Sequence, residues 1–269
     1  MKILCPAKIN LFLNVLGKIG SMHDLVLLNQ TVSLYDEIEL IVKDDSLIVI
    51  ESEDPIPLDE TNSIYKAAKL FKDTYGITDG LFFRVKKKIP VEAGLGGEST
   101  DAAGTLLLLN ECYHLNISKE ELSKLGIQIG SDVPFFIHSG FQMVTSIGDQ
   151  VQECSFDNPF TYYVIVKPNF GLSTKEMFQQ IDFTPFEKRD MLELPYNDFM
   201  KVVPNSILDI QDYFNTLLLD HHTLSGSGSS YYAALKKKDE ELYLKVKEHY
   251  PEYQVFLLEN CDGFQILEK

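Results

Sequence analysis

The run Pro90-Val91-Glu92-Ala93-Gly94-Leu95-Gly96-Gly97-Glu98-Ser99-Thr100-Asp101-Ala102-Ala103 restricts the fold most, because a glycine-rich loop passes there straight into small residues at helical spacing. Three glycines let a backbone approach a ligand closely. The first turn of a helix adds unpaired N–H groups and the positive end of a dipole, so loop and helix together make an anion cradle. Ser99 and Thr100 add hydroxyl donors. The order matches neither the phosphate loop ending in Gly-Lys-Ser/Thr nor the dinucleotide G-x-G-x-x-G. A tight strand-to-helix turn would also use such glycines.

Two further segments are candidates for the same ligand. Leu224-Ser225-Gly226-Ser227-Gly228-Ser229-Ser230 is a second glycine-rich turn, and Pro6-Ala7-Lys8-Ile9-Asn10 places a lysine at the start of an apolar strand. Each has a plain reading alone, as a loop and as a strand-edge charge. Asp132, in Gly130-Ser131-Asp132-Val133-Pro134, reads by itself as a turn residue capping the chain.

The surrounding pattern is mixed α and β. Ile9, Leu11, Leu13 and Val15 alternate with polar or aromatic neighbours as in a strand whose pairing starts after Ala7. Residues 31–50 alternate around Asp44-Asp45 as in a hairpin with a solvated acidic face. Asn62 caps an expected helix ending at Gly76, a strand fits Leu81 to Ile89, and a buried helix is expected from Ser99. Ser118 and Glu121 form a capping box for a short helix ending near Gly126. Beyond residue 150 come a strand at Tyr162–Val166, a polar helical region from Thr174 to about Phe214, a strand at Tyr231–Leu235, a helix at Asp239–His249 and a strand at Gln254–Leu258. This order suits an α+β chain with two parts, 1–150 and 151–269.

Charge narrows the partners. Forty Asp and Glu against 24 Lys and Arg give −16 over 269 residues, which argues against nucleic acid or an anionic membrane as the main partner. Residues 36–60 hold ten acids and Lys43, a net −9, whereas 81–90 hold Arg84, Lys86, Lys87 and Lys88 and no acid. The local lysines and the helix N-terminus, rather than the bulk charge, are therefore expected to govern anion binding. Cys5, Cys112, Cys154 and Cys261 are widely spaced, without zinc-ligand spacing, and are expected to be buried reduced thiols. No leader-like or membrane-spanning apolar run is present, so a cytoplasmic setting is expected.

Taken in order, the lysine segment, the phosphate loop and the second glycine-rich turn resemble the three motifs of the GHMP kinase superfamily. Four stretches carry a narrower resemblance, to its members acting on 4-diphosphocytidyl-2-C-methyl-D-erythritol. They are Pro6–Leu13 with His23, Gly130–Phe136, Ser173-Thr174 with Phe178, and Asn197-Asp198-Phe199. The resemblance implies the two-domain α+β GHMP kinase fold, with an N-terminal ATP-binding domain, a C-terminal domain and the active site in the cleft between them. It implies Lys8 and Asp132 as the catalytic pair. Pro90, Gly94, Leu95, Gly96, Gly97, Glu98, Ser99, Thr100, Asn62 and Lys87 would bind ATP. Asn10, His23, Thr174, Phe178, Gly226, Ser227 and Gly228 would bind the substrate.

ATP and Mg2+ are the implied cofactors, with magnesium ligands unassigned. A small molecule carrying a cytidine diphosphate moiety is the implied partner, and the chain is expected as a monomer or weak homodimer. Two departures stand out: Met22 replaces the tyrosine usual before the histidine, and Glu98 and Thr100 replace glycine and serine in the loop. The rival readings are another small-molecule kinase of the superfamily, for homoserine, mevalonate or a sugar, and a non-catalytic nucleotide-binding regulator.

Overall fold

The computed structural model describes residues 1–181, 189–190 and 194–268. Strands β1 (Lys2–Ile19) and β2 (Met22–Lys43) run antiparallel along nearly their whole length. Pairing begins at Lys2 and not after Ala7. Pro6 has no N–H to donate, and the ladder absorbs it in a register shift between Pro6 and Ala7.

The expected hairpin over 31–50 does not form. Strand β4 (Gly80–Lys86) lies between β2 and β3 (Ile48–Ser52), antiparallel to the first and parallel to the second. The connection from β3 to β4 runs through a helix at Ser63–Tyr75, the kind of crossover that parallel neighbours require. Arg84 on β4 reaches Glu39 at 2.9 Å on one side and Glu51 at 3.1 Å on the other.

Helix α1 (Ser63–Tyr75) follows the expectation closely: Asn62 accepts the Ile64 N–H at 2.8 Å, and Gly76 ends the helix at φ 70°. Helix α2 (Gly97–Cys112) starts two residues before Ser99 and is buried on nearly every side. Its small residues let it press on β1, since a Cβ on Gly104 would run into the Cys5 sulfur. Helix α3 (Lys119–Gly126) has its capping box, and α4 (Val133–His138) follows Asp132. Strands β5 (Phe141–Ser146) and β6 (Gln150–Glu153) extend the first sheet from β2.

The second sheet has the order β11-β7-β10-β9, from β7 (Tyr162–Lys167), β9 (His222–Leu224), β10 (Tyr231–Leu235) and β11 (Gln254–Glu259). Helix α7 (Glu240–His249) sits where expected. The expected helical region 174–214 is broken in its described parts into α5 (Thr174–Gln180), the short β8 (Tyr196–Asn197), a 3-10 turn at Asp198–Lys201 and α6 (Asn205–Thr216). Residues 182–188 and 191–193 of that region lie outside the described residues.

β1 belongs to both halves. It pairs with β2, with β8 and with the last strand β12 (Gln265–Glu268). Its Ala7, Ile9, Leu11 and Phe12 pack in one core with Tyr163, Ile165 and Tyr232 of the second sheet. Hydrophobic cover on both faces leaves little room for polar side chains, yet Lys8, Asn10 and Asn14 are buried on this strand. All four cysteines are free, but only Cys5 is fully buried. Among the described residues no helix is long and apolar enough to cross a membrane.

Candidate active site

The two glycine-rich segments meet face to face. Ser229 and Ser230 donate backbone N–H groups to the carbonyls of Glu92 and Ala93, at 3.3 and 3.1 Å, and the Ser225 hydroxyl donates to the Gly94 carbonyl at 3.0 Å. Gly94 has φ +71°, and a Cβ there would strike the Ser225 carbonyl, so this close approach admits no side chain. Asn197 holds the second loop from behind, donating to the carbonyls of Leu224 and Gly226 at 2.8 Å each.

β1 is fastened to the same loop. The Lys8 N–H donates to Leu95 O at 3.0 Å, and Gly96, at φ +76°, leaves room for Phe136 and the Lys8 stem. By helix geometry the N–H groups of Gly97, Glu98 and Ser99 have no carbonyl one turn back, and they open the N-terminus of α2 to a ligand.

The cleft so formed has a volume of about 560 Å³. Lys8, Asn10, Asn62, Lys87, Pro90, Gly94 to Ser99, Asp132, Thr174, Phe178 and Gly226 to Gly228 line it, so residues scattered over the sequence converge on one space. Thr100 does not line it. The residue is fully buried, its N–H is bonded to the Gly96 carbonyl, and its hydroxyl has no partner among the described residues. The expected hydroxyl donor at that position faces the protein interior.

Lys8 is 3% exposed, and its ammonium stands 3.7 Å from the Asp132 carboxylate and 2.5 Å from Asn10 Oδ1. Burial pulls the lysine below its ordinary pKa, and Asp132 works against that fall. Asp132 occupies the position before α4, but its side chain makes no capping bond there. The carboxylate, about one-third exposed, is left to face the lysine and the cleft.

Two expected nucleotide contacts are already engaged inside the protein. Asn62 uses its oxygen on Ile64 N and its NH2 on the Pro57 carbonyl, at 2.8 and 2.7 Å. Lys87 places its ammonium between Asp36 and Asp101, the latter at 2.5 Å. Burial works to lower the lysine's pKa, but the two carboxylates overcome it and hold the group above its ordinary value. Burial pushes Asp101 up to about 7, with Lys87 opposing and Asp36 adding to the rise. The basic segment is thus largely neutralised by the acids of 36–60: Arg84 and Lys87 pair as described, and Lys86 lies 3.8 Å from Glu37. Three of the four cations of 81–90 are thus paired with carboxylates, Lys88 is exposed, and Lys87 alone of the four lines the cleft.

On the opposite wall the Thr174 and Ser227 hydroxyls share a hydrogen bond of 2.7 Å. His23 is not on the wall itself. Its ring stacks on Phe178 at 4.2 Å and 18°, and Phe178 meets Phe199 edge-on at 4.8 Å. Met22, where an aromatic ring was the alternative, is 47% exposed. Burial and Lys18 both lower the His23 pKa, which favours the neutral imidazole.

Magnesium fits this donor set. Among the described residues no group of three or more His, Cys, Asp and Glu could cage a metal ion. Mg2+, however, is usually held by one or two carboxylates or hydroxyls together with phosphates and water. Ser99, which lines the cleft in the first turn of α2, offers one such hydroxyl.

Residues 62–140 match the model of the GHMP kinases N terminal domain. The 4-diphosphocytidyl-2-C-methyl-D-erythritol kinase of Clostridium tetani is 41% identical over 198 residues, 72% of this chain and 68% of that protein. The protein of the same name from Clostridium botulinum Eklund 17B is 35% identical over 276 residues, which cover 93% of this chain and 97% of its own.

The chain belongs to the 4-diphosphocytidyl-2-C-methyl-D-erythritol kinase family. The crystal structure of a 4-(cytidine 5'-diphospho)-2C-methyl-D-erythritol kinase superposes with a TM-score of 0.82 at 23% identity, covering 98% of this chain and all of that one. A homoserine kinase from Cytophaga hutchinsonii follows at 0.75 and 16%, covering 99% and 97%. The expected two-domain α+β GHMP kinase fold is therefore the observed one. Sequence reasoning assigned no role to Asn29, Asp36, Asp101, Asn197 or Tyr232, all of which hold site residues or loops in place. Asn197 could have been found, because it stands in the Asn197-Asp198-Phe199 stretch that carries the family resemblance.

Proposed function

We propose that this kinase transfers the γ-phosphoryl group of ATP to the 2-hydroxyl of 4-diphosphocytidyl-2-C-methyl-D-erythritol. This is a step towards isoprenoid precursors by the non-mevalonate route. The chain is an alcohol-group phosphotransferase by family, and the observation that carries the finer reading is the buried Lys8 facing Asp132 beside the phosphate loop.

An alcohol attacks poorly until its proton has an acceptor. Asp132, open to the cleft, orients the hydroxyl and takes that proton. Lys8 keeps Asp132 ionised and offsets charge building on the transferring group, an effect that grows as water is excluded. The backbone from Gly94 to Ser99 and the start of α2 hold the phosphates, while Asn62 and the stem of Lys87 border the adenosine side. Mg2+ would be held by Ser99 together with the phosphates, where it would supply charge neutralisation and fix phosphate geometry.

Asn10, Thr174 and the Gly226–Gly228 turn bind the erythritol diphosphate. His23 and Phe178 receive the cytosine, the imidazole by hydrogen bonding and the ring by stacking. In the proposed division near residue 150 both parts line the cleft, and β1 also pairs with β8 and β12 of the second part. The protein works in the cytoplasm as a monomer or weak homodimer. The test is phosphoryl transfer from ATP across alcohols with and without a cytidine diphosphate handle. Turnover confined to the handled acceptor supports the reading, and preferential turnover of homoserine, mevalonate or a sugar overturns it.

A further inference from the structure

The Asn10 side chain stands between two buried groups. Its oxygen accepts from the Lys8 ammonium at 2.5 Å, and its NH2 donates to Asn29 Oδ1 at 2.6 Å. Residues 10 and 29 face each other across the β1–β2 ladder. Asn29 is fully buried and does not line the cleft, so it lies behind the site and not in it. Among the described residues its own NH2 has no hydrogen-bond partner. A buried amide costs stability unless its polar atoms are used. Next to Leu27 and Leu28, both buried, an apolar residue would cover the same ground.

The bond to Asn10 gives Asn29 a purpose. An asparagine can present either end of its amide, and only one end suits an ammonium group. With the Asn29 oxygen behind it, a reversed Asn10 would set NH2 against the Lys8 ammonium and oxygen against oxygen. We propose that Asn29 is a positioning residue for the Lys8–Asp132 pair, acting through the orientation of Asn10. The assignment of Lys8 and Asp132 to phosphoryl transfer rests on the reading above; the orientation of Lys8 by this relay does not.

Two near-isosteric variants separate this role from simple packing. Asn29→Leu removes the acceptor. Asn29→Asp keeps it and exchanges only the unpartnered NH2 for oxygen, while adding negative charge behind the relay. The Lys8 ammonium is titrated by NMR of 13C-labelled lysine in the ligand-free protein, with the signal assigned by its loss in Lys8→Arg. Among the described residues Asp132 is the charged group that acts on Lys8.

The expected result is a Lys8 titration displaced to lower pH in Asn29→Leu and to higher pH in Asn29→Asp. In turnover, Asn29→Leu should lower kcat about ten- to hundredfold, as small misplacements of reacting groups do, with both KM values within about twofold of the parent. A Lys8 titration unchanged in both folded variants overturns the proposal. Should Asn29→Leu fail to fold, an unchanged titration in Asn29→Asp alone overturns it. Absence of turnover in the parent protein contradicts the kinase reading and leaves the titration to decide the relay.

Discussion

The Lys8 ammonium, sealed beneath the phosphate loop, stands 3.7 Å from the carboxylate of Asp132 across the cleft floor. The two residues are far apart in sequence. Lys8 is fixed by the Leu95 carbonyl and by Asn10, while Asp132 is fixed by the turn into α4 and makes no capping bond. A lysine that belonged merely to a strand edge would be solvated. Its burial opposite a carboxylate open to the cleft is what gives the pair chemical meaning.

The cluster of Asp36, Lys87 and Asp101 behind the loop predicts a pH-dependent stability. Asp101 is held up to about 7 in the fold, against an ordinary carboxylate value near 4 when unfolded. The folded chain therefore keeps a proton that the unfolded chain has lost, and this group's contribution falls as pH rises from about 4 to 7. Asp101→Asn should gain thermal stability relative to the parent across that window, read from paired melting curves. Lys87→Met should lose about 3–5 kcal/mol at pH 8, because it leaves two buried carboxylates without their cation. Equal melting temperatures for Lys87→Met and the parent would show that the triad is not a structural tie.

Gly94→Ala should weaken ATP binding and lower stability together. The left-handed backbone alone costs about 1–2 kcal/mol for a non-glycine residue, and the new methyl would strike the Ser225 carbonyl. Calorimetric titration with ATP and a melting curve check both effects.

Phe178→Ala should raise KM for the cytidine-bearing acceptor and leave KM for ATP unchanged. Base–aromatic stacking contributes about 1–3 kcal/mol, roughly five- to 150-fold in affinity. His23 stacks on Phe178 in this structure, and Phe178 also lines the cleft. Because burial and Lys18 lower the His23 pKa, acceptor affinity should stay level above neutral pH and fall only below the ordinary histidine range. Steady-state kinetics at several pH values read both outcomes.

Glu98 lies on the exposed side of the first turn of α2, at the cleft margin. Glu98→Gly should leave ATP affinity equal or better, measured by titration at fixed magnesium. A large loss of magnesium-dependent activity would instead give the carboxylate a positive role.

Local signals carried much of this structure. Asn62 and Gly76 bounded α1, Ser118 and Glu121 bounded α3, and the glycine spacing located the loop that opens α2, because each feature depends on neighbours a few residues away. What sequence could not carry was pairing between distant segments. The alternation of 31–50 is compatible with a hairpin, and the place of β4 between β2 and β3 rests on pairing with both across intervening chain. Net charge misled for the same reason: Lys86 and Lys87 looked free along the chain and are paired in space. Thr100 read as a donor from its place in the loop, yet the α2 turn directs it inward. Asn29 gave no signal at all, since one polar residue in a strand acquires its meaning only from the residue opposite.

The measurement that bears most directly on the account is turnover of 4-diphosphocytidyl-2-C-methyl-D-erythritol by Asp132→Asn beside the parent protein, with ATP binding and melting temperature followed in both. The account predicts turnover by the parent and a loss of about 10²–10⁴-fold in the variant, the usual cost of removing a general base, while fold and nucleotide binding persist. Parent-like turnover in the folded variant would contradict it.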